Sequence, residues 1–323
     1  MYRYEADGAA APARNSGVIV SCGEALVDLM PEELDGELIY RPVLGGSPYN
    51  VALGVARLGG RAAYLWELSS DRLGCAFAEA LANEGVDISA VRRSARATPV
   101  GIVDLSGSEP RYNIADPDRV MHDTDPPALP AGASILVVGS AVLAQEPVAD
   151  RLEALAMAAP LVAMDYNVRL PSITDLPRYR GRLERMSARA GIVKASEADL
   201  AMIGVDDAEA FLHRMLQAGA ALAVLTRGGE GVSAWTAGAS VHVAARRVEV
   251  VDAVGAGDAF MAGLLASLQC GKLLAGPSLH ALTEARLTDV IGTAQSVAAV
   301  ACTKRGAVMP KHTEIGGPLF PLA

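Results

Sequence analysis

Asp252-Ala253-Val254-Gly255-Ala256-Gly257-Asp258 decides how this chain is read, because it sets two glycines and a carboxylate where a strand gives way to a helix. Upstream, Val241-His242-Val243 and Val248-Glu249-Val250 read as β; downstream, Ala259-Phe260-Met261-Ala262-Gly263-Leu264-Leu265-Ala266 reads as an apolar helix. The first amides of a helix have no carbonyl partner within it, and glycine lets an anion come close to them. Asp258, one turn from those donors, is suited to take a proton from a hydroxyl that attacks a phosphate. A glycine-rich helix start with an acid in its favourable first turn accounts for the same residues, and the motif alone leaves both readings standing.

Composition sets the bounds. With 323 residues, 51% hydrophobic, and a mean hydropathy of +0.27, the chain can bury a large core, as one α/β domain with an appendage or as two domains. There are 28 basic against 37 acidic residues, a net charge of −9, and no Lys/Arg cluster that would track a phosphate backbone. Nucleic acid is thereby excluded as a partner. Cys22, Cys75, Cys270 and Cys302 are scattered without a C-x-x-C, which indicates neither a zinc site nor a disulfide framework; reduced thiols and a cytoplasmic location are expected. Residues 1–17 are rich in Ala, Pro and Gly, lack an apolar signal-peptide core and are expected to form a flexible tail. No other segment approaches a membrane span, so no membrane partner is expected.

From Val18 onward, short apolar runs alternate with helical stretches, as a mostly parallel sheet covered by helices requires. The runs are Val18-Ile19-Val20, Ile135 to Val138, Leu161 to Met164, Gly191-Ile192-Val193 and Leu222 to Leu225. Each ends in small or polar residues, and ligands of open α/β sheets bind beyond the carboxyl ends of strands. Leu38-Ile39-Tyr40-Arg41, Val100 to Leu105 and Arg111 to Ile114 break this rhythm as strands without long helices between them. They suggest a small β lid, with segments near 36–43 and 98–120, that would exclude water from a phosphoryl transfer. A second constellation is Gly45-Gly46-Ser47-Pro48-Tyr49-Asn50 at the start of a helix. Its glycines allow close approach to a ligand, and Asn50 can both donate to and accept from a polyol. Ser47 as N-cap with Pro48 at the first helical position explains the helix start, but not the paired glycines or Asn50.

Six motifs occur in the order found in ribokinase-like carbohydrate kinases. They are Gly23-Glu24-Ala25-Leu26-Val27-Asp28, the Gly45 to Asn50 segment, Asp165-Tyr166-Asn167-Val168-Arg169, Lys194-Ala195-Ser196-Glu197, Thr226-Arg227-Gly228-Gly229-Glu230-Gly231 and Asp252 to Asp258. The chain from about Val18 to Pro310 resembles that family, and residues 18–323 are expected to form its kinase domain. The first and third motifs are similar to its fructokinase branch. The resemblance implies that Asp258 is the catalytic base and that Gly255, Ala256 and Gly257 form the anion hole for the γ-phosphate of ATP. It implies that Asp28, Gly45, Gly46 and Asn50 hold the sugar, with Arg169 near the sugar or the phosphates. Thr226, Gly228 and Gly231 would line the nucleotide, and Gln295 stands where many relatives have an adenine-side Asn. Glu197 matches an acid that organises Mg2+ through water. Lys194 replaces the Asn that opens this motif in ribokinases and would contact a phosphate as a point charge. Relatives also bind a monovalent cation beside the loop, where this chain has Asp252 and the carbonyl of Val254. That site would take K+, or Asp252 makes an Asx-type turn without an ion. The resemblance allows a homodimer joined through the lid.

Three departures bear on the sugar more than on the chemistry. Ala253 stands where Thr is usual, Trp66 to Gly74 lacks the glycines common before its Asp, and Arg111 to Arg119 looks shorter than a fructokinase lid. No G-x-x-x-x-G-K-[ST] is present, nor a G-x-G-x-x-G at a strand-to-helix junction. His122, His213, His242, His280 and His312 show no ligand spacing, Arg246-Arg247 reads as a solvated strand face, and Asp206-Asp207 reads as a cap on the helix beginning near Ala208. The expected protein is thus a ribokinase-like α/β kinase that phosphorylates a sugar hydroxyl from ATP and Mg2+. Fructose is the first choice; 2-keto-3-deoxygluconate, ribose and a nucleoside are alternatives within the class, and a sugar- or nucleotide-binding protein without turnover is the alternative outside it.

Overall fold

The computed structural model describes residues 17–104 and 111–316; most of the expected tail, Leu105 of the expected lid strand and residues 317–323 lie outside the described residues. The strands are β1 (Val18–Cys22), β2 (Leu26–Leu34), β3 (Glu37–Gly45), β4 (Ala62–Leu65), β5 (Glu67–Ser69), β6 (Arg92–Ser94), β7 (Val100–Asp104), β8 (Arg111–Ala115), β9 (Ala133–Gly139), β10 (Val162–Asp165), β11 (Ile192–Ser196), β12 (Leu222–Thr226), β13 (Val232–Trp235) and β14 (Ser240–Val243). The helices are α1 (Ser47–Arg57), α2 (Arg72–Asn83), α3 (Val148–Ala158), α4 (Leu176–Ser187), α5 (Glu197–Met202), α6 (Ala208–Ala218), α7 (Ala256–Cys270), α8 (Gly276–His280), α9 (Glu284–Cys302) and α10 (His312–Ile315).

Among the described residues the main sheet runs in the order β14-β13-β12-β11-β10-β9-β1-β4, parallel from β4 through β12 and antiparallel at β13 and β14. The five apolar runs expected as strands all form in it, and their side chains are buried on both faces, as a helix-covered sheet demands. A second, mixed sheet in the order β3-β2-β7-β8 contains the strands expected at the lid. It also contains β2, which the sequence of Leu26 to Leu34 conceals because its acids and Pro31 interrupt the apolar pattern.

Local chemistry explains the helix starts. Asp207 accepts from the Ala210 amide as the expected cap of α6, and Ser196 with Asp199 forms a capping box on α5. The expected cap of α1 does not form: its N-cap is Gly46, without a side-chain bond, and Ser47 is already helical with its hydroxyl turned elsewhere. α7 lies inside the core, buried from Asp258 to Gln269, which is why it is apolar around its whole circumference. Gly54 of α1 and Gly263 of α7 permit close crossings: a Cβ on the first would lie 2.7 Å from Ala262 Cβ and on the second 2.9 Å from Val297 of α9. α7 is thereby wedged between α1 and α9, which fixes where its first turn points.

Val248-Glu249-Val250 is not a strand, and Arg246-Arg247 is exposed on a loop rather than on a strand face. β14 ends the sheet at Val243 and the chain then leaves it. The apolar residues that mimic a strand instead face a cavity, which Ala245, Val248 and Val250 help to line.

Candidate active site

The site begins at the N-terminus of α7. Gly255 adopts φ +76°, and a Cβ there would sit 2.7 Å from Ala307 Cβ, so glycine is required on both counts. The amides of Gly257 and Asp258 follow in the first turn, where the helix supplies no i−4 partner. Asp258 is 6% exposed. Its Oδ1 accepts from Ser47 Oγ at 2.6 Å and from Asn167 Nδ2 at 3.4 Å, and its Oδ2 accepts from Asn50 Nδ2 at 2.8 Å. Burial raises the carboxyl above the usual range, while the bonds from Ser47 and Asn50 and the charges of Arg169 and Lys194 pull it back.

Beneath the first turn stands Lys194, in the middle of β11. Its Nζ donates to both oxygens of Asp165 at 2.8 Å, and a Cβ on Gly257 would lie 3.2 Å from that nitrogen. Burial pushes Asp165 up to about 6 while the ammonium beside it pulls the other way, and Asp165 in turn holds Lys194 protonated. With two short bonds in a buried setting the pair is ionised, and its ammonium stands under the first turn of α7.

Asp28, Gly45, Gly46 and Asn50 converge from β2, β3 and α1. A Cβ on Gly45 would be 2.5 Å from Asp28 Oδ2, and one on Gly101 would be 3.0 Å from Oδ1, so these glycines clear room for the carboxylate. Gly46 has φ +105° and a Cβ there would overlap the Glu24 carbonyl oxygen. Burial lifts Asp28 to about 6 against the Arg169 charge. Asp28 Oδ1, Asn50 Oδ1 and Glu24 Oε2 are buried without a hydrogen-bond partner. Three orphaned acceptors, from the residues after β1, from β2 and from α1, are what a ligand rich in hydroxyl donors would satisfy.

Next to this polar pocket a cavity of about 550 Å³ is lined by Arg169, Lys194, Thr226, Gly228, Gly231, Ala256, Gly257 and Gln295. Gly228 and Gly231 hold φ +51° and +103° in the turn after β12. Gln295 Nε2 donates to the Val243 carbonyl at 2.9 Å, so that amide group is already used in fixing the end of β14. Glu197 is not on the cavity wall: its Oε1 lies 3.3 Å from Arg227 Nε, drawn aside by an ion pair. Asp252 accepts from the Val254 amide at 2.9 Å and from the Gly306 amide at 2.8 Å, the Asx-type turn that was the alternative to a bound cation.

Ser47, Asn167, Asp165 and Glu24 belong to the site although they were not singled out from sequence. Each lies inside a motif, but Ser47 was accounted for as a cap, and nothing in one dimension shows that a residue 211 positions from Asp258 bonds to it. Among the described residues no group of three His, Cys, Asp or Glu side chains is arranged to hold a metal, and no helix is long and apolar enough to cross a membrane.

A buried carboxylate on the first turn of a helix, a lysine ammonium below it and a deep cavity beside it make up the candidate site of this α/β sheet. The sequence profile of the pfkB family carbohydrate kinases matches residues 19–314, and the chain belongs to that family. It is 36% identical over 306 residues to a fructokinase of Klebsiella pneumoniae, covering 91% of this chain and 95% of that one. It is 35% identical over 280 residues to a fructokinase of Rhizobium leguminosarum bv. trifolii, covering 84% and 86%. Among solved structures, Xylella fastidiosa fructokinase with bound ATP superposes with a TM-score of 0.79 at 26% identity, covering 93% of this chain and 97% of that one. A Vibrio cholerae O395 fructokinase double mutant with fructose, ADP and potassium ion gives 0.81 at 27%, covering 94% and 98%. The protein is a ribokinase-like sugar kinase.

Proposed function

We propose that this kinase transfers the γ-phosphate of ATP to a hydroxyl of fructose. The observation that carries the reading is the buried Asp258 carboxylate, held by α1 on one side and adjoining both the orphaned acceptors of the sugar pocket and the cavity beyond Gly257. The fructokinase relatives support fructose as the sugar and ATP as the donor. The hydroxyl proton passes to Asp258 as its oxygen bonds to phosphorus and the bond from phosphorus to ADP breaks. The amides of Gly257 and Asp258 and the Lys194 ammonium oppose the charge that develops on the phosphoryl oxygens. Asp28, Gly45, Gly46 and Asn50 hold the sugar, and Arg169 stands between sugar and phosphates. Thr226, Gly228 and Gly231 line the nucleotide, and Gln295, with its amide nitrogen occupied, offers its oxygen to the base.

Mg2+, when bound with the nucleotide, would supply charge neutralisation to the phosphates. The donors fit such an ion: it is held mostly by phosphate and water, so the chain need supply one acid, Glu197, whose exposed carboxylate must first turn from Arg227. A potassium ion fits at Asp252 and the Val254 carbonyl, since each Asp252 oxygen accepts one amide and keeps a second lone pair. A homodimer joined through the lid is supported by the apolar outer face of that sheet, where Leu38 is 68%, Tyr40 43% and Ile102 41% exposed. We place the protein in the cytoplasm, where ATP and reduced thiols are found. An ADP-coupled assay across fructose, 2-keto-3-deoxygluconate, ribose and adenosine tests the substrate. Fructose is expected to give the highest kcat/KM; a higher value for another compound refutes it, and no turnover with any of them favours a binding protein.

A further inference from the structure

We propose that Ser47 is a positioning residue of the phosphoryl transfer: by donating to Oδ1 of Asp258 it fixes the carboxylate and leaves the open lone pair on Oδ2 for the sugar proton. This rests on Asp258 being the base. α1 begins without a side-chain cap, its N-cap being Gly46, and the Asn50 amide is served by the Gly46 carbonyl at 2.9 Å. The Ser47 hydroxyl is therefore not needed for the helix, and at 2.6 Å it makes the shortest of the three bonds to Asp258. Ser47 and Asn50, three residues apart, lie on one face of α1 and grip the two carboxylate oxygens from the same side.

The lone pairs then decide which oxygen reacts. A carboxylate oxygen takes about two donors. Oδ1 has Ser47 and Asn167, whereas Oδ2 has Asn50 alone. The proton leaving the sugar oxygen is taken on Oδ2, the sugar oxygen bonds to the γ-phosphorus, and ADP departs with the electrons of the broken bond. Asn50 Oδ1, buried and unpartnered next to Oδ2, is available to accept a second sugar hydroxyl.

The charges facing Asp258 are Arg169 from the loop after β10, Lys194 from β11 and Asp165 from β10. Ser47 adds to the two cations in favouring the ionised form. Removing it moves the acid limb of the rate profile to higher pH, because a base that is harder to ionise is lost earlier as pH falls. A bond to a charged group is worth about one pH unit on that scale.

The test compares wild type, Ser47→Ala, Ser47→Thr and Asp258→Asn as full-length proteins with ATP and the best sugar of the panel. In Ser47→Ala, the acid limb of kcat is expected about one pH unit higher, with about tenfold slower turnover below the limb and a smaller loss above it. The KM for ATP should stay unchanged, and Ser47→Thr should restore the profile. A carbon-13 titration of the aspartate signal that is missing in Asp258→Asn reads the same displacement without turnover. An unmoved limb and an unmoved titration in Ser47→Ala would overturn the role of Ser47, as would an equal loss at every pH. Near-normal turnover in Asp258→Asn would instead sink the base itself.

Discussion

Replacing Glu24 with Gln removes a charge from the floor of the site while keeping its shape, and the effect on stability should depend on pH in a calculable way. Glu24 is 2% exposed at the carboxyl end of β1. Burial pushes its carboxyl from 4.5 up to about 7, against the smaller pulls of the Ser140 hydroxyl, two backbone amides and the Arg169 charge. Its folded value lies above its unfolded one, so the folded protein binds this proton more tightly. Stability contributed by the group is complete below pH 4.5 and is lost as pH rises through about 7. The rise of about 2.5 pH units, at about 1.4 kcal/mol each, amounts to about 3.5 kcal/mol in full, of which about 3 kcal/mol falls between about pH 4.5 and pH 8. Gln has no proton to lose, and whatever its amide costs in unmade bonds is the same at every pH. Between about pH 4.5 and pH 8 the unfolding free energy of the variant should therefore gain about 3 kcal/mol on wild type. Urea unfolding of both proteins at the two pH values measures this. Taking the difference cancels Asp28 and Asp165, each raised to about 6, and Asp71, lowered to about 2. A difference that stays constant within about 0.5 kcal/mol would refute the claim that burial governs this carboxyl.

Asp258→Asn should bind sugar and nucleotide normally by calorimetry yet lose about a hundredfold to ten-thousandfold in turnover, and near-normal kcat would remove it from the mechanism. Asp28→Ala should raise the sugar KM strongly and spare ATP affinity, whereas Asn50→Ala should lower kcat as well, because Asn50 also holds the base; equal weakening of ATP binding by Asp28→Ala would show the subsites misassigned. Turnover at constant ionic strength should be faster in potassium than in sodium or a bulky organic cation, and identical rates in all three would exclude the ion at Asp252. Leu38→Glu should shift sedimentation toward the monomer, and an unchanged sedimentation coefficient would take the lid face out of the interface.

Periodicity was enough for β1, β9, β10, β11 and β12 because these strands are buried on both faces, and a continuous apolar run reports that whatever its neighbours are; β4 and β13, short and rich in small residues, were not read from it. The start of α7 was equally legible: Gly255 needs a left-handed backbone and Asp258 a first-turn position, both local requirements of a helix start. Where the sequence misled, the deciding contact was distant. Ser47 satisfies every local rule for an N-cap, yet the wedge of α7 between α1 and α9 brings Asp258 within 2.6 Å of its hydroxyl, and a charge-assisted bond there outweighs a neutral cap. Val248 to Val250 alternates like a strand, but the sheet has ended and the same side chains line a cavity. Glu197 is drawn to Arg227 and Gln295 to Val243 by neighbours that only folding supplies. A one-dimensional pattern encodes what a residue can do within its own element; which of its hydrogen-bonding options is taken depends on the partner that the packing of helices presents to it.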